Sequence, residues 1–387
     1  MEKPVTGEKI IEVTQYDVKG KLPDVFLMND GTRVNSIEDW KKRRKEIYKT
    51  AVELQFGTQP PKPEVLEFEK LNESEPGGMT IFQIRAGTKE KQVVLSMKIV
   101  RPDASFGEKV PAVVCGDASF RYWHDKDFIS AFKDNGIALV LFDRLPLAHD
   151  VKNEGRSKGG LYQVYPEYTF GAIGAWAWGY SRCVDVLEQL DYIDMSCIAF
   201  TGHSRGAKVA MLAGVMDERC TIVNPNETCQ GACSCYRIYM RANKEDGNNL
   251  GSETLKHSVD TYGFWFGEGM ADYVGREDEL PFDSHYLKAL VAPRVLCDWE
   301  AASDIWASPI GSWQTTMAAK EVYKFLSCED NLIWYFRTGT HSHSLCDIQQ
   351  LINVIQNRYR NKPLPDTYYK TPFEEPELIF DWKCPEK

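Results

Sequence analysis

The stretch Gly202-His203-Ser204-Arg205-Gly206 has the Gly-x-Ser-x-Gly form that presents a serine hydroxyl for nucleophilic attack. Cys197 to Thr201 before it is apolar and reads as a buried strand, and Ala207 to Val215 after it reads as a helix. On such a turn the hydroxyl stands above the carboxyl ends of the strands, while flanking glycines let the backbone take the turn and let strand and helix approach closely. A serine hydroxyl is a poor nucleophile near neutral pH. Ser204 therefore needs an imidazole to take its proton and a carboxylate to fix the imidazole's tautomer. His341, in Gly339-Thr340-His341-Ser342-His343 directly after the last expected strand, is preferred to His343 as that base. Glu227, in Asn224-Pro225-Asn226-Glu227, and Asp304, in Ala302-Ser303-Asp304-Ile305-Trp306, each follow a strand and compete for the acid role. Spacing leaves both open, and a helix cap or loop ion pair is the commoner fate of one carboxylate. Arg205, just after the serine, offers a charged donor for a developing oxyanion. Lys208, one helical turn on, shares the serine's face and can reach substrate hydroxyls or a carboxyl group. For both cations a surface salt bridge is the plainer alternative.

Strands of nearly continuous apolar sequence must hold these residues. Val93 to Val100 begins the series, followed by Val110 to Cys115, a helix from Asp127 to Asn135 closed by Gly136, and Ile137 to Phe142. Ile173, Trp176, Tyr180, Cys183, Leu187 and Leu190 mark a long helix ahead of the serine strand. Further strands are expected at Thr221 to Val223, Pro293 to Trp299 and Leu332 to Phe336, with helices over Trp313 to Leu326 and Asp347 to Arg358. This alternation is that of an open, mostly parallel sheet covered on both faces. Residues 1–34 are polar and turn-rich and suit an extended arm. Ser36 then precedes a helix whose Trp40, Ile47, Ala51 and Leu54 share a face and whose run Lys41 to Lys45 reads as solvated; Pro60-Pro61-Lys62-Pro63 ends it. The expected division is an arm and helix over 1–60 and a catalytic domain over 61–387. An insertion at about 228–290 would roof the site like a lid.

The chain's 387 residues, 43% hydrophobic and 12% aromatic, can bury a large core. A net charge of −10 argues against nucleic acid and anionic membrane as partners, because both call for a basic face. No apolar run approaches the roughly 20 residues of a spanning helix. The opening Met-Glu-Lys-Pro-Val-Thr lacks a signal-peptide pattern, which leaves either an intracellular protein or a presequence removed. Eleven cysteines are scattered, and only Cys229, Cys233 and Cys235 lie close together. With no second ligand pair they make a poor zinc signature, so no metal and no cofactor is expected. Bridging of some thiols in an oxidising compartment stays open.

Several blocks in order resemble the glucuronoyl esterases of carbohydrate esterase family 15. They are Ala175 to Arg182, Thr201 to Lys208, Asn224 to Glu227, Ser234 to Ile238, Leu280 to His285, Ala292-Pro293-Arg294, Asp304 to Pro309 and Gly339 to His343. The resemblance covers about 90 to 360. It implies an α/β-hydrolase fold, a three-layer αβα sandwich with a mostly parallel central sheet. The implied activity is cleavage, by a cofactor-free monomer, of the ester between 4-O-methyl-glucuronic acid of glucuronoxylan and lignin alcohols. By position, Ser204 matches the family's nucleophile, His341 its base and Arg205 its oxyanion arginine. Lys208, Trp306 and, less securely, Glu253 match sugar contacts. The family's acid stands at the Glu227 position, the Asp304 position or both, and the closer match around Glu227 favours it as main partner. His203 replaces the cysteine of fungal members, so their disulfide to the histidine loop cannot form. A secreted or periplasmic location is implied, with a cytoplasmic one left open. Two other readings stand beside this one: a xylan deacetylase, disfavoured by the cations at Arg205 and Lys208, and a catalytically silent carbohydrate-binding relative, disfavoured by the intact Ser204 and His341.

Overall fold

The computed structural model describes residues 15–72, 75–117, 122–152, 155, 156, 158–241 and 251–386. The first part of the expected arm, residues 1–14, and residues 242–250 of the expected insertion lie outside them. The chain enters through β1 (Tyr16–Val18) and α1 (Ile37–Ile47), which continues through a π-helical turn into α2 (Leu54–Phe56). Then follow β2 (Val65–Lys70), β3 (Met79–Gly87), β4 (Gln92–Val100), β5 (Val110–Cys115), α3 (Lys126–Lys133), β6 (Ala138–Phe142), α4 (Gly160–Val164) and α5 (Ala172–Leu187). Next come β7 (Ile193–His203), α6 (Arg205–Met216), β8 (Ile222–Asn226), β9 (Ile238–Met240), α7 (Leu255–Tyr262) and α8 (Ser284–Val291). The last elements are β10 (Val295–Ala301), α9 (Pro309–Phe325), β11 (Leu332–Arg337) and α10 (Leu345–Arg360).

Nine strands form one sheet in the order β2-β3-β4-β6-β5-β7-β8-β10-β11. Pairs β2–β3, β3–β4 and β4–β6 are antiparallel, and every other neighbouring pair is parallel. Alternate strand residues serve two cores. Ala112 and Val114 of β5 and Val140 of β6 face Trp176, Val209, Leu287 and Val322 of α5, α6, α8 and α9. Val113 and Leu139 face Phe128, Phe132 and Leu351 of α3 and α10. This is the three-layer α/β-hydrolase arrangement. The chain steps outward from β5 to β6 and back across β5 to β7, so the strand order reverses there and opens a crevice at the carboxyl ends.

β2 and β3 extend the sheet beyond the strands expected from sequence. β2 is an exposed, charged edge strand, and such strands lack the apolar run that betrays a central one. In the basic run of α1, Lys41, Lys42 and Lys45 are exposed as expected, but the two arginines are not. Arg43 is buried, donating to the Val25 carbonyl at 2.9 Å and the Tyr286 hydroxyl at 2.9 Å, and Arg44 donates to the carbonyls of Leu290 and Ala292. Both guanidiniums thereby satisfy backbone groups where the arm and α1 meet the domain. Phe26 of the arm packs edge-on against Phe325 and Trp382. Within the expected lid, α8 is buried along its whole length among α6 and α9 and belongs to the helical layer.

The serine turn depends on a close approach of β7 and α6. A Cβ added at Gly202 would lie 2.3 Å from the Gly206 carbonyl oxygen, and one at Gly206 would lie 2.1 Å from the Asp117 carboxylate. Because the obstacle at Gly202 is backbone, Gly202→Ala is expected to lower stability by about 2–3 kcal/mol. Thermal unfolding checks this, with a melting temperature several degrees below the unaltered protein.

Candidate active site

Ser204 sits between β7 and α6 with φ 56° and ψ −118°, a conformation that costs a non-glycine residue on the order of 1–3 kcal/mol. The surroundings hold it there. Its N–H donates to the Asn226 carbonyl at 3.1 Å, and the preceding His203 N–H donates to the Asp117 carboxylate at 2.9 Å. Asp117 follows β5 and accepts from the buried Arg144 at 2.8 Å. Tyr180 of α5 ties the same strand ends together: its hydroxyl accepts from the Gly116 N–H and donates to the Thr201 carbonyl.

His341 stands on the loop after β11, about one-third exposed, with its ring 4.5 Å from that of His203, the residue before Ser204. Its Nδ1 lies 2.5 Å from the Asp304 carboxylate and 3.8 Å from that of Glu227. The direct partner of the imidazole is therefore Asp304, in place of the expected Glu227. Glu227 is spent elsewhere. It turns out of β8 with φ 45°, and its buried carboxylate accepts from the Ser342 N–H at 2.6 Å and from the Arg337 guanidinium. Burial, the largest influence, pushes the Glu227 pKa up to about 9, while Arg337 and the Ser342 N–H pull it down. His343, the other candidate base, is buried with its Nδ1 2.5 Å from the Tyr122 hydroxyl.

Arg205 opens α6 and lies partly exposed over the Trp265 ring, 5.3 Å from its centre, with Nη1 2.6 Å from the Asp150 carboxylate. Asp150 also accepts from the Trp265 indole at 3.2 Å and from Arg144 at 3.4 Å. Lys208 departs from the surface reading. It is buried, donates to the Gln230 carbonyl and pairs with Glu253 at 3.0 Å. Burial pulls its pKa down most strongly, but Glu253 and the nearby thiols outweigh that, and the net shift is upward. Glu253 in turn donates its N–H to the Trp306 carbonyl at 3.0 Å, and the half-buried Trp306 ring meets the edge of His257. The expected sugar contacts Lys208, Glu253 and Trp306 thus form one connected patch.

His203, Glu227 and His341 offer ligand atoms within 4.8 Å of one another. Their chemistry is that of a hydrogen-bonded cluster, because Glu227 is held by Arg337 and Ser342, His341 by Asp304, and His203 by Asn226 at 3.0 Å. Cys229 points to the Trp306 carbonyl and Cys235 to Asp283, while Cys233 lies near Asp298 and Glu300. Burial raises all three thiol pKa values, which opposes the thiolate a metal would need. All eleven cysteines are unbridged.

Four residues of this site escaped the sequence reading: Asp117, Arg144, Asp150 and Arg337. Asp117, Arg144 and Arg337 stand at or just beyond the carboxyl ends of β5, β6 and β11, where site residues of an open parallel sheet collect. A charged residue at the end of an apolar strand or within two residues beyond it was the available signal.

Residues 84–327 match the family profile described as "Glucuronyl esterase, fungi". The 4-O-methyl-glucuronoyl methylesterase 1 of Wolfiporia cocos is 30% identical over 328 residues, covering 84% of this chain and 76% of that protein. The Phanerochaete carnosa 4-O-methyl-glucuronoyl methylesterase is 28% identical over 367 residues, 93% of this chain and 85% of that protein. Among solved structures, a family 15 glucuronoyl esterase from Caldicellulosiruptor kristjansonii superposes with a TM-score of 0.81 at 26% identity, over 95% of this chain and 97% of that one. The glucuronoyl esterase catalytic domain from Hypocrea jecorina gives 0.76 at 25% identity, over 96% and 98%. A profile match over more than half the chain, a serine on a strained strand-to-helix turn and a histidine bonded to a carboxylate converge on one conclusion: this chain belongs to the glucuronoyl esterase family, the carboxylic ester hydrolases of carbohydrate esterase family 15.

Proposed function

We propose that the enzyme cleaves the ester between 4-O-methyl-glucuronic acid of glucuronoxylan and a lignin alcohol, acting as a monomer outside the cytoplasm. The observation that carries this reading is the polar patch of ion-paired side chains that begins beside Ser204. Arg205 and Lys208 lie on one helix one turn apart, the first reaching the surface and the second paired with Glu253 beside Trp306. A sugar acid offers ring hydroxyls to such a patch, whereas a xylan acetate carries only a methyl group beyond the carbonyl that both esters share.

In this mechanism Ser204 Oγ attacks the ester carbonyl as His341 Nε2 takes its proton, and Asp304 holds Nδ1–H and stabilises the imidazolium. Arg205 faces the developing oxyanion. Collapse of the tetrahedral species expels the alcohol, which takes the proton from His341. The glucuronoyl-serine ester then reacts with water activated by the same imidazole.

Turnover of benzyl glucuronate beside nitrophenyl acetate tests the substrate class. Preference for the glucuronate is expected; preference for the acetate would favour the deacetylase, and turnover of neither the silent relative. Ser204→Ala is expected to lower benzyl glucuronate turnover by about 10⁴-fold or more with the fold intact by circular dichroism. Arg205→Ala should cost roughly 100-fold in kcat, and a change in KM alone would make it a binding residue.

The two carboxylates beside His341 give a further expectation. Asp304→Ala should lose on the order of 1000-fold in kcat and Glu227→Ala on the order of 10-fold, since only Asp304 bonds the imidazole directly. The double variant should approach Ser204→Ala, because Glu227 can partly replace a lost Asp304. Kinetics of the three variants check the order.

A further inference from the structure

Arg337, the last residue of β11, is surrounded by the loop that carries His341. Its Nε donates to Asp347 at 2.7 Å, its Nη1 to the Thr338 carbonyl at 3.0 Å, and its Nη2 to the Ser342 hydroxyl at 2.9 Å and carbonyl at 3.2 Å. The same Nη2 meets the Glu227 carboxylate. One guanidinium therefore joins three segments that meet only at the site: the turn after β8, the histidine loop, and the first turn of α10. The α10 anchor is rigid, since Asp347 also closes the capping box with Ser344 and is itself buried. Gly339 is shaped to this arrangement. It has φ 110°, and a Cβ there would come within 2.8 Å of Arg337 Nη1. Glu227 bonds the loop a second time through the Ser342 N–H, one residue from His341.

We propose that Arg337 is a positioning residue for catalysis, holding the His341 loop and the Glu227 carboxylate in the register that places Asp304 and Glu227 together beside the imidazole. It touches no substrate. It acts through geometry, because a planar fork with several donors can bind two carboxylates and the loop carbonyls at once. Lysine, a single point charge, can still pair with Asp347 but lacks the reach to serve all three segments. The inference rests on the proposed roles of Ser204, His341 and Asp304.

Three forms of the full-length chain are compared on benzyl glucuronate and on nitrophenyl acetate: unaltered, Arg337→Lys and Arg337→Ala. In both variants kcat is expected to fall at least 30-fold with KM within about threefold, since the sugar contacts lie on other segments. Added guanidinium at millimolar concentration should restore Arg337→Ala at least fivefold and leave the unaltered enzyme and Arg337→Lys unchanged. A kcat within threefold of normal in Arg337→Lys overturns the proposal. So does a loss in Arg337→Ala that guanidinium does not recover while the protein remains folded, because a purely structural role predicts that result. Should Arg337→Ala fail to fold, the kcat and KM of Arg337→Lys decide alone. Failure of the proposed substrate is separate: it shows as inactivity of the unaltered enzyme toward the glucuronate, and the Arg337 ratios are then read on the acetate.

Discussion

Arg144 lies wholly buried between two carboxylates, with its guanidinium 4.4 Å from the centre of the Trp176 ring. Asp117 on one side pins the backbone before Ser204 and sits above Gly206, where no side chain fits. Asp150 on the other side grips Arg205 and the Trp265 indole. Two cations and two anions alternate along this row. Arg205 reaches solvent, the cost of burying the other three is offset by their neighbours, and removal of one member of such a buried pair commonly destabilises by about 3–5 kcal/mol. The strained serine turn and the arginine beside it are thus held by the same charges, so the two cannot drift apart independently.

The central architecture was open to reading because its strands are nearly all apolar, and a run such as Ala138 to Phe142 permits little else than a strand covered on both faces. Strand ends were harder to place. β7 runs from Ile193, well before the apolar stretch, because Asp194 and Ser196 extend it along the exposed end of the sheet. Ser204 and His341 could be named because motif and position agree. The choice of acid fell on Glu227 where the structure has Asp304, since it turns on which oxygen reaches Nδ1, a matter of about 1 Å that no spacing encodes. Long-range partners were equally hidden: Arg337 meets Glu227 across 110 residues, and Asp150 meets Arg205 across 55.

Lys208 illustrates how tertiary context reverses a local reading. On a helical wheel it is one more basic residue, yet Glu253 arrives from beyond β9 to neutralise it, and both end almost fully buried. A lysine fixed in this way has already lost its rotamer freedom before ligand arrives, so contacts to it cost less ordering entropy than contacts to a free surface lysine.

His203 directly precedes Ser204, and its ring lies against His341 and stacks on His343 at 5.5 Å. The join between serine turn and histidine loop is made of ring contacts and hydrogen bonds, and none of the eleven cysteines is in a disulfide. Its integrity is therefore indifferent to ambient redox potential. No oxidising partner is needed to complete the site during folding, and thiol reductants have no covalent bond there to cut.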